Sequence, residues 1–514
     1  MNWEQYINNE QINKSIHKVT DALSKLNRTE VAGIAVGSLA VYYIANTFAF
    51  DPLRSIPGPL AAKLSRFYDL KTKAGGKKPE IIEELHQKYG DVVRIGPNHV
   101  SIRDPNAVKQ IYGTERFLKS DFYDVFKIDG NESIFSTKSS MNHGRFRRIM
   151  GPGFSQSTLD NLEDIFMDNG ILLFLDKLDK NVADKNMPAN LFNEFHLLAF
   201  DVLGELAFGK SFDMVKMNSH PFTSWLKARS SIIPLLTTFP MLNKYPMLVR
   251  NFFPKANEAL GKIKEFSHGT LEERAADNTT NRRDFAHILV EARNSNKKGV
   301  CLTEGECAMA SVVLTIAGTD TTSNTMTFTA YLLGKNPHVE EKLYQELVKA
   351  MPSRDSVLKY KDARKESLPY LWAVIMEVTR MMPVVPVGMP RVCPKGGEVI
   401  AGKYIPEGTI VEVPVWSIHY HPDIFEDPYT FRPERWLEHG ADELTKYNIA
   451  FSTGPRMCAG KNLAMMEMTL VLAHLYRRFD VKLAKPNEEL QLSAQFITKP
   501  TDGQMNVVIR SRKD

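Results

Sequence analysis

Cysteine is scarce. Four occur, Cys301, Cys307, Cys393 and Cys458, and none forms the close-spaced pairs of a zinc site or a secreted disulfide framework. The bulk of the chain is therefore expected in a reducing compartment. Charge is nearly balanced, at a formal +5, with lysines and arginines scattered rather than gathered in one stripe. That argues against nucleic acid as a partner and for a face that docks an acidic protein. Internal repeats, low-complexity tracts and a second linker are all missing, as is any flavin- or nicotinamide-binding module. What the chain does have is 43% hydrophobic content over 514 residues, enough to bury a large core.

Long apolar runs are rare, with one exception. From Val31 to Phe50 the sequence VAGIAVGSLAVYYIANTFAF carries no charge, matching the roughly 20 residues that cross a bilayer as a helix. The stretch lies too far from the N-terminus for a cleaved signal peptide and has no clear small-residue cleavage site after it. Ahead of it, Ile12, Ile16, Val19, Leu23 and Leu26 recur at helical spacing, giving residues 1–30 an amphipathic face suited to a membrane surface or to packing on the anchor. Lys14, Lys18, Lys25 and Arg28 precede the stretch, while seven cations from Arg54 to Lys78 follow it, which favours a cytosolic body. The sequon Asn13-Lys14-Ser15 would then face the lumen. The expected layout is an amphipathic segment (1–30), a transmembrane anchor (31–50), a proline-rich hinge (51–60) and one catalytic domain (61–514).

Beyond the anchor, Pro57-Gly58-Pro59 stops both helix and strand. Pro79 opens a helix that Gly90 closes, and the strand patterns 92–95 and 99–102 flank Gly96-Pro97-Asn98 as a β-hairpin. Helical periodicity dominates from Leu159 to Lys335, with a long helix from Glu304 to about Leu333, and returns at 371–382 and 463–479. Short β patterns lie near 399–405, 410–415 and 507–509. The fold class is mainly α with small β-sheets.

The decisive segment is Phe451-Ser-Thr-Gly454-Pro-Arg456-Met-Cys458-Ala-Gly460, followed directly by an apolar helix. Its glycines let backbone wrap close to a flat ligand, and the following helix can stabilise a thiolate through its amides and dipole. A lone cysteine reads more simply as a small buried hydrophobe. Five fixed positions, Phe451, Gly454, Arg456, Cys458 and Gly460, coincide by chance in on the order of one sequence in 10⁴. Here the chain resembles the cytochrome P-450 family, whose haem loop reads F-x-x-G-x-R-x-C-x-G. Glu377-Val-Thr-Arg380 resembles the family's E-x-x-R pair, and Pro433-Glu-Arg435-Trp its P-E-R-F/W segment. The likeness extends from about Pro57 to Arg510.

The resemblance implies a fold and a set of roles. Cys458 ligates the iron of haem b; Arg456, Arg391 in Met389-Pro-Arg-Val and Arg147 in His143-Gly-Arg-Phe-Arg147 hold its propionates. His143 stands where many members carry tryptophan, so its bond is the least secure, and a histidine capping its helix is the simpler alternative. Glu377, Arg380 and Arg435 form a buried network for folding and haem retention. On the long helix, Ala317-Gly318-Thr-Asp320-Thr321-Thr resembles A-G-x-D/E-T-T. There Thr321 holds a water and bonds oxygen while Asp320 relays protons. Gly318 and the hydroxyls are expected to open the helix locally. By family position, an apolar substrate pocket draws on Phe122, Tyr123, Phe126, Val313, Ala317, Val385, Phe496 and Ile497.

The implied reaction consumes O2 and inserts one oxygen into a C–H bond of a lipophilic molecule, a steroid, lipid, secondary metabolite or xenobiotic. NADPH is used indirectly through a membrane-bound FAD/FMN reductase, with cytochrome b5 as a second donor, at the endoplasmic reticulum membrane. A haem-thiolate isomerase or dehydratase of oxygenated lipids and a non-catalytic haem carrier or sensor are the alternatives. The intact Thr321 and cysteine loop count against the first, and the acid–alcohol pair against the second.

Overall fold

A computed structural model describes residue 14 and residues 27–45, 49–185, 187–277, 282–297 and 299–513. The amphipathic face from Ile12 to Leu26, the triplet at Asn13 and part of the 31–50 stretch lie outside them. Helix α1, Arg28–Ala45, starts earlier than the apolar run because Asn27 and Glu30 form a reciprocal cap. Asn27 Oδ1 accepts from the Glu30 amide at 2.9 Å, and Glu30 Oε2 accepts from the Asn27 amide at 2.9 Å. Of the expected 31–50 span, this helix covers Val31 to Ala45, and residues 46–48 lie outside the described residues. At a rise of 1.5 Å per residue, the 18-residue helix measures about 27 Å against a hydrocarbon core of about 30 Å. No helix among the described residues is long and apolar enough to cross a membrane.

The proline-rich segment after α1 is docked. Leu53 and Ile56 are buried, and Gly58 sits so close to the Arg94 carbonyl that a Cβ would meet its oxygen at 2.2 Å. Next come α2 (Phe67–Ala74), α3 (Lys78–Tyr89), β1 (Val92–Gly96) and β2 (His99–Ile102). Gly90 ends α3 at φ 92°, a conformation that glycine alone adopts readily. Strands β1 and β2 form the expected hairpin, Val92 opposite Ile102, with an irregularity before Gly96. They join β3 (Leu118–Lys119), β4 (Arg391–Val392) and β5 (Ile410–Glu412) in a five-stranded mixed sheet of order β1-β2-β5-β4-β3. Val411 on the central strand β5 and Val413 just past its end are buried with Ile102, Ile111 and Phe117 in a satellite core.

The main core is helical. Helix α4 (Ser140–Met150) leads into a bundle in which α5 (Leu191–Phe208) packs along α6 (Glu304–Lys335), joined by α7 (Pro369–Met381) and α8 (Lys461–Arg478). Helix α5 is apolar nearly all round, as a helix enclosed by others must be. Thr303 caps α6, accepting from the Glu306 amide at 3.1 Å while Glu306 accepts from the Thr303 amide at 2.9 Å, so the helix starts where the sequence indicates. Pro337 follows its end at Lys335.

Candidate active site

The cysteine loop turns on backbone close to its neighbours. Gly454 has φ 70°, and a Cβ there would strike the Tyr112 carbonyl oxygen at 2.2 Å, so no other residue fits. The Cys458 amide donates to the Phe451 carbonyl at 2.9 Å, closing the loop three residues before α8 begins at Lys461, and Gly460 caps that helix. The Cys458 side chain reaches accessible space, yet protein crowds it enough for burial to dominate its protonation. It therefore faces an internal hollow. Burial raises its thiol, while a bond from the Gly460 backbone and the charges of Arg147 and Lys461 act the other way.

Around Cys458 stand several cations. Lys119 and Arg391 are directly opposite each other on antiparallel β3 and β4, an arrangement that destabilises a sheet unless something compensates it. Both are buried. Lys119 donates to the Phe135 carbonyl at 2.5 Å, and Arg391 to the Tyr123 hydroxyl at 2.6 Å. Arg456 donates to the Thr137 carbonyl at 3.2 Å, and Arg147 to the Met457 carbonyl at 3.4 Å. Among the described residues no carboxylate forms a salt bridge with any of the four. Burial, together with Arg391 and Arg456, drives the Lys119 ammonium far below its ordinary range. His143 is buried in the same cluster; burial, then Arg456, Lys119, Arg147 and Arg391, push its imidazole down to about 3. It does not cap α4, a role taken by Ser139. A ligand bearing two carboxylates beside a flat ring would balance this set, which fits haem.

Behind the loop, Glu377 is a fully buried hub. Its Oε1 accepts from Arg380 Nη2 at 2.7 Å, Arg435 Nε at 3.0 Å and the Arg432 amide at 3.2 Å. Its Oε2 accepts from Arg380 Nε at 2.9 Å and the Trp436 indole at 2.9 Å. Arg380 also donates to the His419 carbonyl at 2.8 Å, and the His419 ring accepts from the Ile449 amide at 2.9 Å. Trp436 and His419 are members that the pairwise motifs did not reveal. Nor did the sequence reveal Lys119 or Glu467. The latter lies on α8, fully buried, with neither carboxylate oxygen hydrogen-bonded among the described residues, and burial pushes it up to about 8.

On α6 the expected local opening is not present: the helix runs unbroken from Glu304 to Lys335. Gly318 serves packing instead, because a Cβ there would meet Leu203 of α5 at 2.8 Å. The hydroxyls bond four residues back without displacing the ladder, Thr321 Oγ1 donating to the Ala317 carbonyl at 2.7 Å. Ala317 is exposed in mid-helix, so α6 also borders a hollow. Asp320 points to α5, its Oδ1 3.6 Å from His196 Nδ1. Of the pocket residues, Phe122, Phe126 and Phe496 form one aromatic group with Phe135, the Phe122–Phe496 and Phe126–Phe496 centroids lying 5.8 and 5.7 Å apart. Tyr123 is fully buried and engaged with Arg391, a structural position rather than a lining one. Val313 and Ile497 are half-buried against the main core, and Val385 is half-buried.

Comparison with known proteins finds one family over most of the chain. The family model described as Cytochrome P-450 matches residues 58–507. The chain is 32% identical to Cytochrome P-450 monooxygenase BipB of Cochliobolus sativus, over 91% of this chain and 94% of that protein. It is 34% identical to Cytochrome P-450 monooxygenase ORF11 of Penicillium roqueforti, over 88% and 93%. With Cytochrome P-450 monooxygenase BOT4 of Botryotinia fuckeliana it shares 31% identity, over 92% and 89%.

Proposed function

The chain belongs to the cytochrome P-450 family, as an oxidoreductase of the monooxygenase type, and we propose that it hydroxylates a C–H bond of a lipophilic small molecule with one atom of O2. Electrons come from NADPH through a separate flavoprotein reductase, with cytochrome b5 as a second donor. One observation carries this reading: the accessible but protein-crowded Cys458 sits beside a cluster of Arg147, Arg456, Arg391 and Lys119, none of which forms a salt bridge with a carboxylate among the described residues.

Haem, when bound, supplies the oxygen-activating chemistry, favoured by an electron-rich thiolate ligand. The chain's residues do the rest. Cys458 ligates iron through Sγ, steadied by the Gly460 backbone. Arg391, Arg456, Arg147 and Lys119 hold the propionates, with neutral His143 beside them. Thr321, its own proton engaged by the Ala317 carbonyl, accepts from and holds a water at the open face of α6, and Asp320 resupplies protons. Aromatic Phe122, Phe126 and Phe496 favour an oily substrate and exclude bulk water.

A membrane location belongs to the same proposal. It is supported by the exposed apolar side chains of α1 and by a second patch of Leu60, Phe67, Met241, Met247 and Phe252. The two are continuous: the Tyr43 hydroxyl donates to the Leu64 carbonyl at 2.6 Å, and Phe67 packs on Phe239 at 5.2 Å. We assign that membrane to the endoplasmic reticulum, with the catalytic body on the cytosolic side.

The test is spectral and then catalytic. Ferrous protein under carbon monoxide is expected to show a red-shifted Soret band that Cys458→Ser abolishes; retention of the band in the variant overturns the ligand assignment. A lipophile that displaces water from the ferric iron is then turned over with reductase and NADPH. Product formed equally without O2 overturns the monooxygenase proposal.

A further inference from the structure

We infer that His196 is a positioning residue for Asp320, holding its carboxylate at the α5–α6 contact and exchanging protons between it and solvent. The inference rests on the proposed relay from Asp320 to Thr321. It starts from a direction problem. Asp320 and Thr321 are adjacent on an unbroken helix, so their side chains diverge by about 100°. Thr321 lies one residue round α6 from Asp320, whereas the carboxylate turns to α5 and meets His196 at 3.6 Å. A proton carried by Asp320 therefore enters from the α5 side.

His196 suits that entry. Its side chain and that of Asp320 remain 19% and 32% exposed, while Phe195, Leu197 and Leu198 on α5 and Thr319 and Thr322 on α6 are buried. Among the described residues the imidazole has no hydrogen bond of its own; its ring faces Phe192 with centroids 6.4 Å apart. The charged groups facing it are Asp320 and Lys499. Burial lowers the imidazole's affinity for a proton, Asp320 raises it and Lys499 lowers it, the net direction being down. At neutral pH the ring is mostly neutral and is charged transiently. An N–H bond of the imidazolium breaks as an O–H bond forms on Asp320. That O–H then yields its proton to the water held at Thr321, which releases one of its own protons into the site, and a hydronium ion from bulk solvent reprotonates His196. Each step conserves charge and needs no other reactant.

The experiment uses full-length protein with ¹⁵N-labelled histidine, the His196 signal being identified by its loss in His196→Gln. The Asp320→Asn substitution is expected to lower the His196 midpoint by at least about half a pH unit, and Lys499→Gln to raise it. A midpoint unmoved by Asp320→Asn overturns the inference. In the reconstituted enzyme, His196→Gln is expected to shift the pH profile of product formed per NADPH and to enlarge its solvent isotope effect. Unchanged values, with Thr321→Ala uncoupled, also overturn it. If Thr321→Ala stays coupled while the His196 midpoint still responds to Asp320→Asn, the pairing is upheld and the relay alone fails.

Discussion

Replacing Glu377 by glutamine changes one oxygen to an amide and keeps the volume, so it isolates charge and hydrogen bonding. The glutamate accepts five hydrogen bonds at 2.7–3.2 Å while fully buried. Glutamine offers one acceptor oxygen and turns an NH2 toward donors, leaving Arg380 and Arg435 buried without their counter-charge. Breaking a buried ion pair from one side costs about 3–5 kcal/mol. Unfolding entropy of ~2 cal/mol/K per residue gives about 1 kcal/mol/K for a chain of 514 residues. The thermal midpoint of Glu377→Gln should then fall by roughly 3–5 °C, and haem content should fall with it. Scanning calorimetry with a parallel haem assay reads both. As a control, Trp436→Phe removes a single charge-assisted bond, worth about 1.5–3 kcal/mol, and should give a smaller drop. A Glu377→Gln midpoint within 1 °C of the parent's, with full haem content, would refute the idea that this carboxylate holds the two arginines.

Three further outcomes are expected. Thr321→Ala should keep consuming NADPH while product per NADPH falls by roughly 10-fold and peroxide rises, measured with a peroxide-specific dye; unchanged coupling removes Thr321 from the relay. For Glu467 the folded pKa of about 8 lies above the unfolded 4.5. Its neutral form therefore supports the fold fully below pH 4.5, and that support fades as pH rises toward 8. Relative to the parent, Glu467→Gln should gain ~3 kcal/mol between pH 4.5 and 7 in urea unfolding, and parallel pH profiles would discard the shifted carboxyl. Lys119→Met should raise the stability of the haem-free protein yet speed haem transfer to apomyoglobin about 10-fold, two effects of opposite sign that a merely structural lysine would not produce.

Much of the fold could be read from the chain because its boundaries are local. The Thr303–Glu306 capping box, Gly90 after α3 and Pro337 after α6 act within a few residues, so those helix ends came out within two residues. Glu377 and Arg380 were legible as a helical i, i+3 pair, and Arg435 through its motif. What was not legible depends on partners far along the chain. His419 and Trp436 join Glu377 through contacts 39 and 59 residues apart. Lys119 meets Arg391 through strand pairing across some 270 positions. Gly318 was misread for the same reason: its neighbour Leu203 lies on another helix, so a packing requirement looked like a helix weakness. At α1 the hydropathy run was plain, but the cap at Asn27 shifted its start, which periodicity alone does not report.

The cation cluster also ties loading to folding. With no carboxylate in salt-bridge reach among the described residues, Lys119 and Arg391 repel across the β3–β4 ladder and Arg456 adds to that repulsion. A bound dianion adds an attraction to each of these cations that offsets their mutual repulsion, so it stabilises the sheet edge as well as satisfying itself. Ligand binding to the folded state alone stabilises it by RT ln(1 + [L]/Kd). The thermal midpoint should therefore rise with haem occupancy, and the rise should shrink in Lys119→Met, where part of the repulsion that the ligand relieves is already gone.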